Sequence, residues 1–348
     1  MKKIKINVSD CCIGDKLAYD VILESGITLL TEGTVLNEFI INKLENLGIE
    51  RIYIYSDFEE SVSQKELHFA ELSNDYSEKV ETIKDIINDL AIGKKLDYPS
   101  IVEITHDLVK NIDEKDNIVK LLSTLKAFNQ YTYNHCLNVS LYSLLLGKWL
   151  GLKEGMLNEL LQAAVMHDIG KAKIPDEILN KRGSLNRGEF EIMKKHSQYG
   201  YEIAKEDRRI SLEVLKGILL HHEKEDGSGY PLKVKGDKIS LFAKIIAICD
   251  IYDALTQERV YKGRTTPFEA FKIIEIEGYT KLDTKIMLTF LQNIASYCIG
   301  MNVVLSDGRV GEIAFISPRN IYTPIVKVDS EVIDLMTNKN INIVSLKN

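Results

Sequence analysis

The stretch that most constrains this chain is Val165-Met166-His167-Asp168-Ile169-Gly170-Lys171, where a histidine and an aspartate close an apolar run that begins at Leu160. An imidazole offers one nitrogen to a metal ion, and a carboxylate has two oxygens that can bridge two ions. The run predicts a buried helix that ends at the pair. Gly170 is expected to let the chain turn out of that helix, and Lys171 leaves a cation three residues past the carboxylate. Alone, the pair is weak evidence, because a helix end with a satisfied histidine explains it as well. Its partners shift the balance. Downstream come His196, the doublet His221-His222 and Asp250, and upstream comes His135. Only seven histidines occur in 348 residues, and five fall in this set.

Asp250 stands inside the apolar run Phe242 to Tyr252. Burying an ionised carboxylate there costs several kcal/mol unless a cation or strong donors compensate. A metal is one compensation, and a hydrogen bond to a neighbouring helix is the other. Asp253, one turn later, reads as structural, bonding local backbone or Arg259. Cys136 and Cys249 adjoin these positions, but neighbours on a helix point about 100° apart, so packing roles are expected.

Composition bounds the partners. A net charge of −7 argues against wrapping a nucleic acid polymer and leaves room for a small phosphate ligand held by local cations. Five cysteines with no CxxC pattern read as reduced thiols, and the N-terminus Met1-Lys2-Lys3-Ile4-Lys5 lacks the apolar region of a signal peptide. Both point to a cytoplasmic location. The best apolar stretch, Leu137 to Leu152, carries Asn138, Ser140 and Lys148 and is too short for a membrane span.

The length predicts two or three domains. Residues 1–57 read as a small α+β regulatory module: alternation from Lys3 to Val8, short runs punctuated by glycine, a helix carrying Phe39, Ile40, Leu44 and Leu47, and a returning strand at Arg51 to Tyr55. Residues 58–117 read as a helical connector whose helices could form a homodimer seam. Pro99 is expected to start a helix, and His68 and His106 are expected to be structural or surface residues. Residues 118–297 are helical throughout, with a capping box at Asn186 and Glu189 opening the helix that carries His196. The doublet closes a helix that begins near Ser211. Residues 298–348 form a small β module, with Ser306-Asp307-Gly308 as a hairpin turn. The fold class is mainly α: an all-α domain between a small N-terminal α+β module and a small C-terminal β module.

The ordered set His135, His167-Asp168-Ile169-Gly170-Lys171, His196, His221-His222-Glu223, Asp226-Gly227-Ser228-Gly229-Tyr230-Pro231, Asp250 and Asp253-Ala254-Leu255-Thr256 closely resembles the HD-GYP family. That family is the variant of the HD-domain phosphohydrolases that cleaves cyclic di-GMP. The resemblance covers about residues 118 to 297. It implies a metal-dependent phosphodiesterase that opens cyclic di-GMP to linear pGpG, and on to GMP in some members. It implies two divalent ions, iron or manganese, and the imidazole and carboxylate donors suit such ions better than magnesium or calcium. By position, His135, His167, Asp168 and Asp250 would hold one ion. His196, His221 and His222 would hold the other, with Asp168 bridging. Such a pair would hold a metal-bridging hydroxide as the nucleophile. Asp168 and Lys171 are the catalytic candidates, and Lys171, Arg259 and Lys262 match positions that contact substrate phosphates. The Gly229-Tyr230-Pro231 loop would shape the site or meet a protein partner. Two alternatives stay open: a cyclic dinucleotide receptor that no longer turns over, and an HD-type hydrolase acting on another nucleotide.

One departure from the family bears on the product. Some members carry a glutamate four residues before the first histidine, where it helps to hold a third ion; here that position is Tyr131. A phenol with a pKa near 10 is a poor ligand for a hard divalent ion at neutral pH. Two ions per chain are therefore expected. Without a third to neutralise the terminal phosphate of pGpG, the second cut should lag the first. A time course resolved by chromatography should show pGpG accumulating before GMP. GMP from the outset with no pGpG pool, or three ions per chain, would overturn this.

Overall fold

The computed structural model describes residues 2–11, 15–22, 28–34, 36, 38–47, 49–56, 58–111, 131–181, 183–257 and 265–347. Contacts divide the chain into two units, Met1–Asn74 and Asp75–Asn348. In the first, β1 (Lys2–Asn7) pairs antiparallel with β4 (Arg51–Ser56), β2 (Val21–Ile22) pairs with β3 (Thr28–Leu30), and α1 is Glu38–Asn46. Strand alternation sends Ile52 and Ile54 inward to join Val8, Leu17, Leu36 and Leu44 in one core, while Lys5 and Tyr53 of the paired strands stay exposed.

Helix α2 (Phe58–Ala91) crosses the division, and α3 (Tyr98–Asn111) begins one residue before Pro99. His106 is exposed, as expected for a histidine with no ligand role. Helices α4 (Tyr131–Trp149), α5 (Glu154–Met166), α6 (Asp176–Leu179), α7 (Arg187–Met193), α8 (His196–Ala204) and α9 (Leu212–Leu220) follow. Then come α10 (Leu241–Thr256), α11 (Pro267–Gly278) and α12 (Thr284–Ser296). No strand occurs among the described residues of this stretch.

The core of this unit is α4, which is buried without interruption from Asn134 to Gly147. A helix apolar on every side must be enclosed, and α5, α10 and α12 enclose it. Tyr142 meets Tyr252 and Phe290 edge-on at ring separations of 5.1 and 6.3 Å, an arrangement aromatic quadrupoles favour. Ser211, Ser240, Thr266 and Asp283 cap the helices they precede by accepting from backbone N–H groups. Each fixes where its helix starts, and thereby which turn faces the core.

The C-terminal strands β5 (Asn302–Leu305), β6 (Val310–Ser317), β7 (Asn320–Val328), β8 (Glu331–Asp334) and β9 (Ile343–Leu346) form one antiparallel sheet in the order β8-β7-β6-β5-β9. Gly308, at φ +86°, makes the expected turn. A second tight turn, with Asp329 at φ +50°, joins β7 to β8; no glycine marks it in the sequence. Helices α11 and α12 pack against β7.

Two local expectations are corrected. The helix opened by the Asn186–Glu189 capping box does not carry His196. It ends at Met193, and α8 starts afresh at His196. Gly170 does not serve as a left-handed helix stop. It lies in a 3-10 turn, Ile169–Lys173, and the chain needs a glycine there for close approach. A β-carbon on Gly170 would sit 1.9 Å from the His196 carbonyl oxygen and 2.4 Å from the Gly200 nitrogen. The turn after His167-Asp168 is thus laid directly on the helix that carries His196. Gly170→Ala should force these backbones apart at about 1–3 kcal/mol or more, the range for overpacking a core. Calorimetry should read a melting temperature several degrees lower; an unchanged melting temperature would show that the contact gives way freely.

Candidate metal centre

Five helices deliver the cluster. His135 lies in the first turns of α4, His167 caps the C-terminus of α5, and Asp168 follows it at the start of the 3-10 turn. His196 opens α8, His221 caps α9 with His222 next to it, and Asp250 faces inward from α10. His135, His167, Asp168, His196 and His221 are all buried. The donor atoms of His135, His167 and Asp250 lie within 4.8 Å of one another, and so do those of His196, His221 and His222. Asp168 stands between the two groups. Its Oδ2 is 3.3 Å from His167 Nε2 and 3.8 Å from His135 Nε2, whereas its Oδ1 is 3.4 Å from His196 Nε2. Asp250 reaches His135 Nε2 at 3.0 Å with one oxygen and His222 Nδ1 at 3.9 Å with the other.

Hydrogen bonds to the main chain settle the tautomers. His167, His196 and His221 each donate Nδ1–H to the carbonyl three residues back, Ala164, Met193 and Ile218, at 2.7, 2.8 and 2.7 Å. Each Nε2 is therefore a bare lone pair. His196 Nε2 and His221 Nε2 face each other at 3.3 Å with no hydrogen to share, and His167 Nε2 is buried with no hydrogen-bond partner. Burial, reinforced by neighbouring imidazoles, holds His221 well below the usual histidine range and His222 down to about 3; burial lowers His196 too. Protons therefore do not fill the gap between His196 and His221. Converging neutral imidazoles and carboxylates suit a divalent cation, and the donor set fits one.

Charge is arranged to match. Burial opposes ionisation of Asp168, yet the Lys171 ammonium beside it holds its carboxyl well below the usual range. Lys171 donates to Asp168 Oδ2 and is itself raised by that carboxylate against the cost of burial. Burial pushes the Cys136 and Cys249 thiols up, in keeping with packing roles. Arg259 and Lys262 lie outside the described residues.

The expectation for Asp253 is corrected in part. It is fully buried and accepts the His135 Nδ1–H at 2.7 Å, with Asn138 Nδ2 donating to its other oxygen at 3.1 Å and Gln257 donating as well. It orients a cluster histidine rather than serving local backbone. Its place one turn after Asp250, on the same buried helix, was the signal available in the sequence.

The glycine-rich loop walls the site. Gly229 is required there by close approach, since a β-carbon would lie 2.5 Å from both the Glu223 α-carbon and the His222 carbonyl oxygen. Tyr230 lays its ring on His222 at 4.7 Å, and its backbone N–H donates to the His222 carbonyl at 3.2 Å. Glu223, 3% exposed, anchors the far side by accepting from Leu232 N and Lys233 N at 2.6 and 2.8 Å. Sequence reasoning assigned Glu223 no task. A cavity of ≈ 900 Å³ opens over His221, His222 and Asp250, lined by Tyr230, by apolar Ile251, Leu255 and Ile274, and by Lys194, Lys195, Lys224, Lys233 and Lys281.

Comparisons with known proteins agree with this geometry. The HD domain family matches residues 115–286. A cyclic di-GMP phosphodiesterase of Pseudomonas aeruginosa is 32% identical over 247 residues, 71% of this chain and 59% of that protein. A 3'3'-cGAMP-specific phosphodiesterase of Vibrio cholerae is 40% identical over 44% of this chain and 29% of its own length. The solved structure of an HDG"Y"P protein from Bdellovibrio bacteriovorus shares the fold, with a TM-score of 0.51 at 17% identity over 83% of this chain and 98% of that one. Residues 115–286 form an HD domain, and their ordered motifs resemble those of the HD-GYP branch. It spans 59% and 29% of the lengths of the two named relatives. Among the described residues no helix is long and apolar enough to cross a membrane.

Glu223→Ala should free the Leu232 and Lys233 amides, whose bonds to a carboxylate are in the class worth about 1.5–3 kcal/mol each. Hydrogen exchange at those two amides should quicken while α4 stays protected. Exchange as slow as in the parent protein would mean that the loop is held by something else.

Proposed function

We propose that this chain is a metal-dependent phosphodiesterase that hydrolyses cyclic di-GMP to linear pGpG, with GMP as a later product. The observation that carries the reading is the pair of donor groups that meet opposite oxygens of Asp168, through His167 Nε2 at 3.3 Å on one side and His196 Nε2 at 3.4 Å on the other. In this reading His135, His167, Asp168 and Asp250 would hold one ion and His196, His221 and His222 a second, with Asp168 placed to serve both. Iron or manganese suits the nitrogen and oxygen donors, and no thiolate is present among them. When bound, such a pair supplies Lewis acidity to phosphate oxygens and lowers the pKa of water.

The chain's own residues do the rest. Asp168, kept ionised, ties the two groups into one site. Lys171 sets its ammonium beside that carboxylate, where it stabilises the charge that builds on the non-bridging oxygens as water bonds to phosphorus and the 3′ oxygen leaves. The cavity lysines give a dinucleotide its counter-charges despite the net charge of −7. By the family resemblance, Arg259 and Lys262 would add further phosphate contacts. The domain reading includes residues 118–297 as the catalytic domain, flanked by modules at 1–57 and 298–348 and a connector at 58–117. It also includes a cytoplasmic location, a homodimer through the N-terminal helices and a protein partner at the Gly229-Tyr230-Pro231 loop.

A second substrate reading, 3'3'-cGAMP, is favoured by the 40% identity to the Vibrio cholerae enzyme, against the longer match to the Pseudomonas aeruginosa one. Side-by-side kcat/KM values on the two cyclic dinucleotides decide between them. Asp168→Ala should at least halve the metal content and abolish hydrolysis, because one residue serves both groups. Lys171→Ala should keep the metal while turnover falls roughly ten- to a thousandfold, near the range for losing one charge-stabilising donor. Full occupancy with near-normal turnover in Asp168→Ala would refute the assignment.

A further inference from the structure

One side of the cluster is held differently from the rest. His167, His196 and His221 are oriented by main-chain carbonyls three residues back, at the end of their own helix or, for His196, of the preceding one. His135 is oriented by a side chain, Asp253, and that side chain heads a line of buried polar groups. Asp253 Oδ1 accepts from Asn138 Nδ2 at 3.1 Å, and Asn138 Oδ1 accepts from the Tyr76 hydroxyl at 2.8 Å. Tyr76 belongs to α2, an element that contributes no residue to either donor group, and is 7% exposed. Asn138 and Asp253 are 3% and 0% exposed, so water cannot readily replace any link. Burial also pushes the Tyr76 phenol above its ordinary range, which keeps it a donor.

We infer that Tyr76 is a positioning residue for the His135 side of the centre. Through Asn138 it fixes Asp253, and through Asp253 it fixes the tautomer and ring plane of His135, so that Nε2 points at the position shared with His167 and Asp250. The inference rests on the metal-site reading above. An ion held by His135, His167 and Asp250 then depends on a chain of side chains rooted in α2. An ion held by His196, His221 and His222 depends on no such chain, because its His196 and His221 ligands are aimed by backbone. Losing an outer partner of a ligating histidine lowers metal affinity by about 10–100-fold, so the two positions should respond unequally to the loss of one hydroxyl on α2.

The test is equilibrium dialysis of the full chain against Mn²⁺ with elemental counting, alongside thermal melts of the metal-free protein. The parent should bind two equivalents. Tyr76→Phe should keep one tight equivalent and weaken the other by about 10–100-fold, with little change in melting temperature. Asn138→Ala breaks the same line from within and should weaken the same equivalent. Asp253→Asn should do so as well, and adding Tyr76→Phe to it should weaken binding no further, because residues acting through one another are not additive. Both equivalents retained at parental affinity in Tyr76→Phe would overturn the inference. So would parallel weakening of both, or an undiminished Tyr76 effect on the Asp253→Asn background. A parent protein that binds no divalent ion would instead overturn the metal-site reading itself.

Discussion

Three imidazoles in this chain are aimed by the carbonyl three residues behind them, and the site depends on that bond. Each of these histidines sits at a helix end, where backbone groups lack intrahelical partners. At the C-termini of α5 and α9 the carbonyls of Ala164 and Ile218 find an Nδ1–H there. At the break between α7 and α8 the Met193 carbonyl finds His196 in the same way. The bond satisfies a helix terminus and strips Nε2 of its proton at once. That explains why the polypeptide breaks where it does: one continuous helix from Asn186 through His196 would use the Met193 carbonyl in its own ladder and leave His196 unaimed.

The helix ends must also be brought together, and backbone contact does that. Gly170 rests on the His196 carbonyl, and Gly229 rests on the His222 carbonyl, each at a distance that admits no β-carbon. The glycines near the site therefore serve proximity rather than flexibility. The Tyr230 ring then lies along His222, and Glu223 fastens the outgoing strand of the loop. The wall of the cavity and the position of the doublet are in this sense one construction.

Much of this was legible in the chain itself. Helical period and apolar runs marked α4, α5 and α10, and rare, clustered histidines marked the site, because few other pressures place a histidine in an apolar helix. What was illegible is instructive. Gly170 carried a familiar helix-stop meaning, and only the packing of α8 on the following turn shows the other one. Asp253 looked local because its partner, His135, is remote in sequence. The β7–β8 turn was missed because Asp329 adopts φ +50° without a glycine. The first two failures concern contacts between distant segments, which neither periodicity nor local propensity encodes.

The cluster also poses a folding problem that its own residues do not solve. Two carboxylates and five imidazoles are packed together at the floor of the cavity, with only His222 and Asp250 partly open to it. His167 Nε2 has no partner, and His196 and His221 present lone pairs to each other. Leaving such groups unsatisfied costs about 1–3 kcal/mol apiece, a sizeable share of the 5–15 kcal/mol that holds a domain folded. The His135 side has an internal remedy, because burial disfavours the imidazolium but Asp250 and Asp253 outweigh it and raise the ring to about 10. A proton can therefore stand where a cation would. The His196–His221–His222 side has none: those rings resist protonation. An ion held at the His135 side would therefore displace a proton, because a ligating imidazole gives its lone pair to the metal.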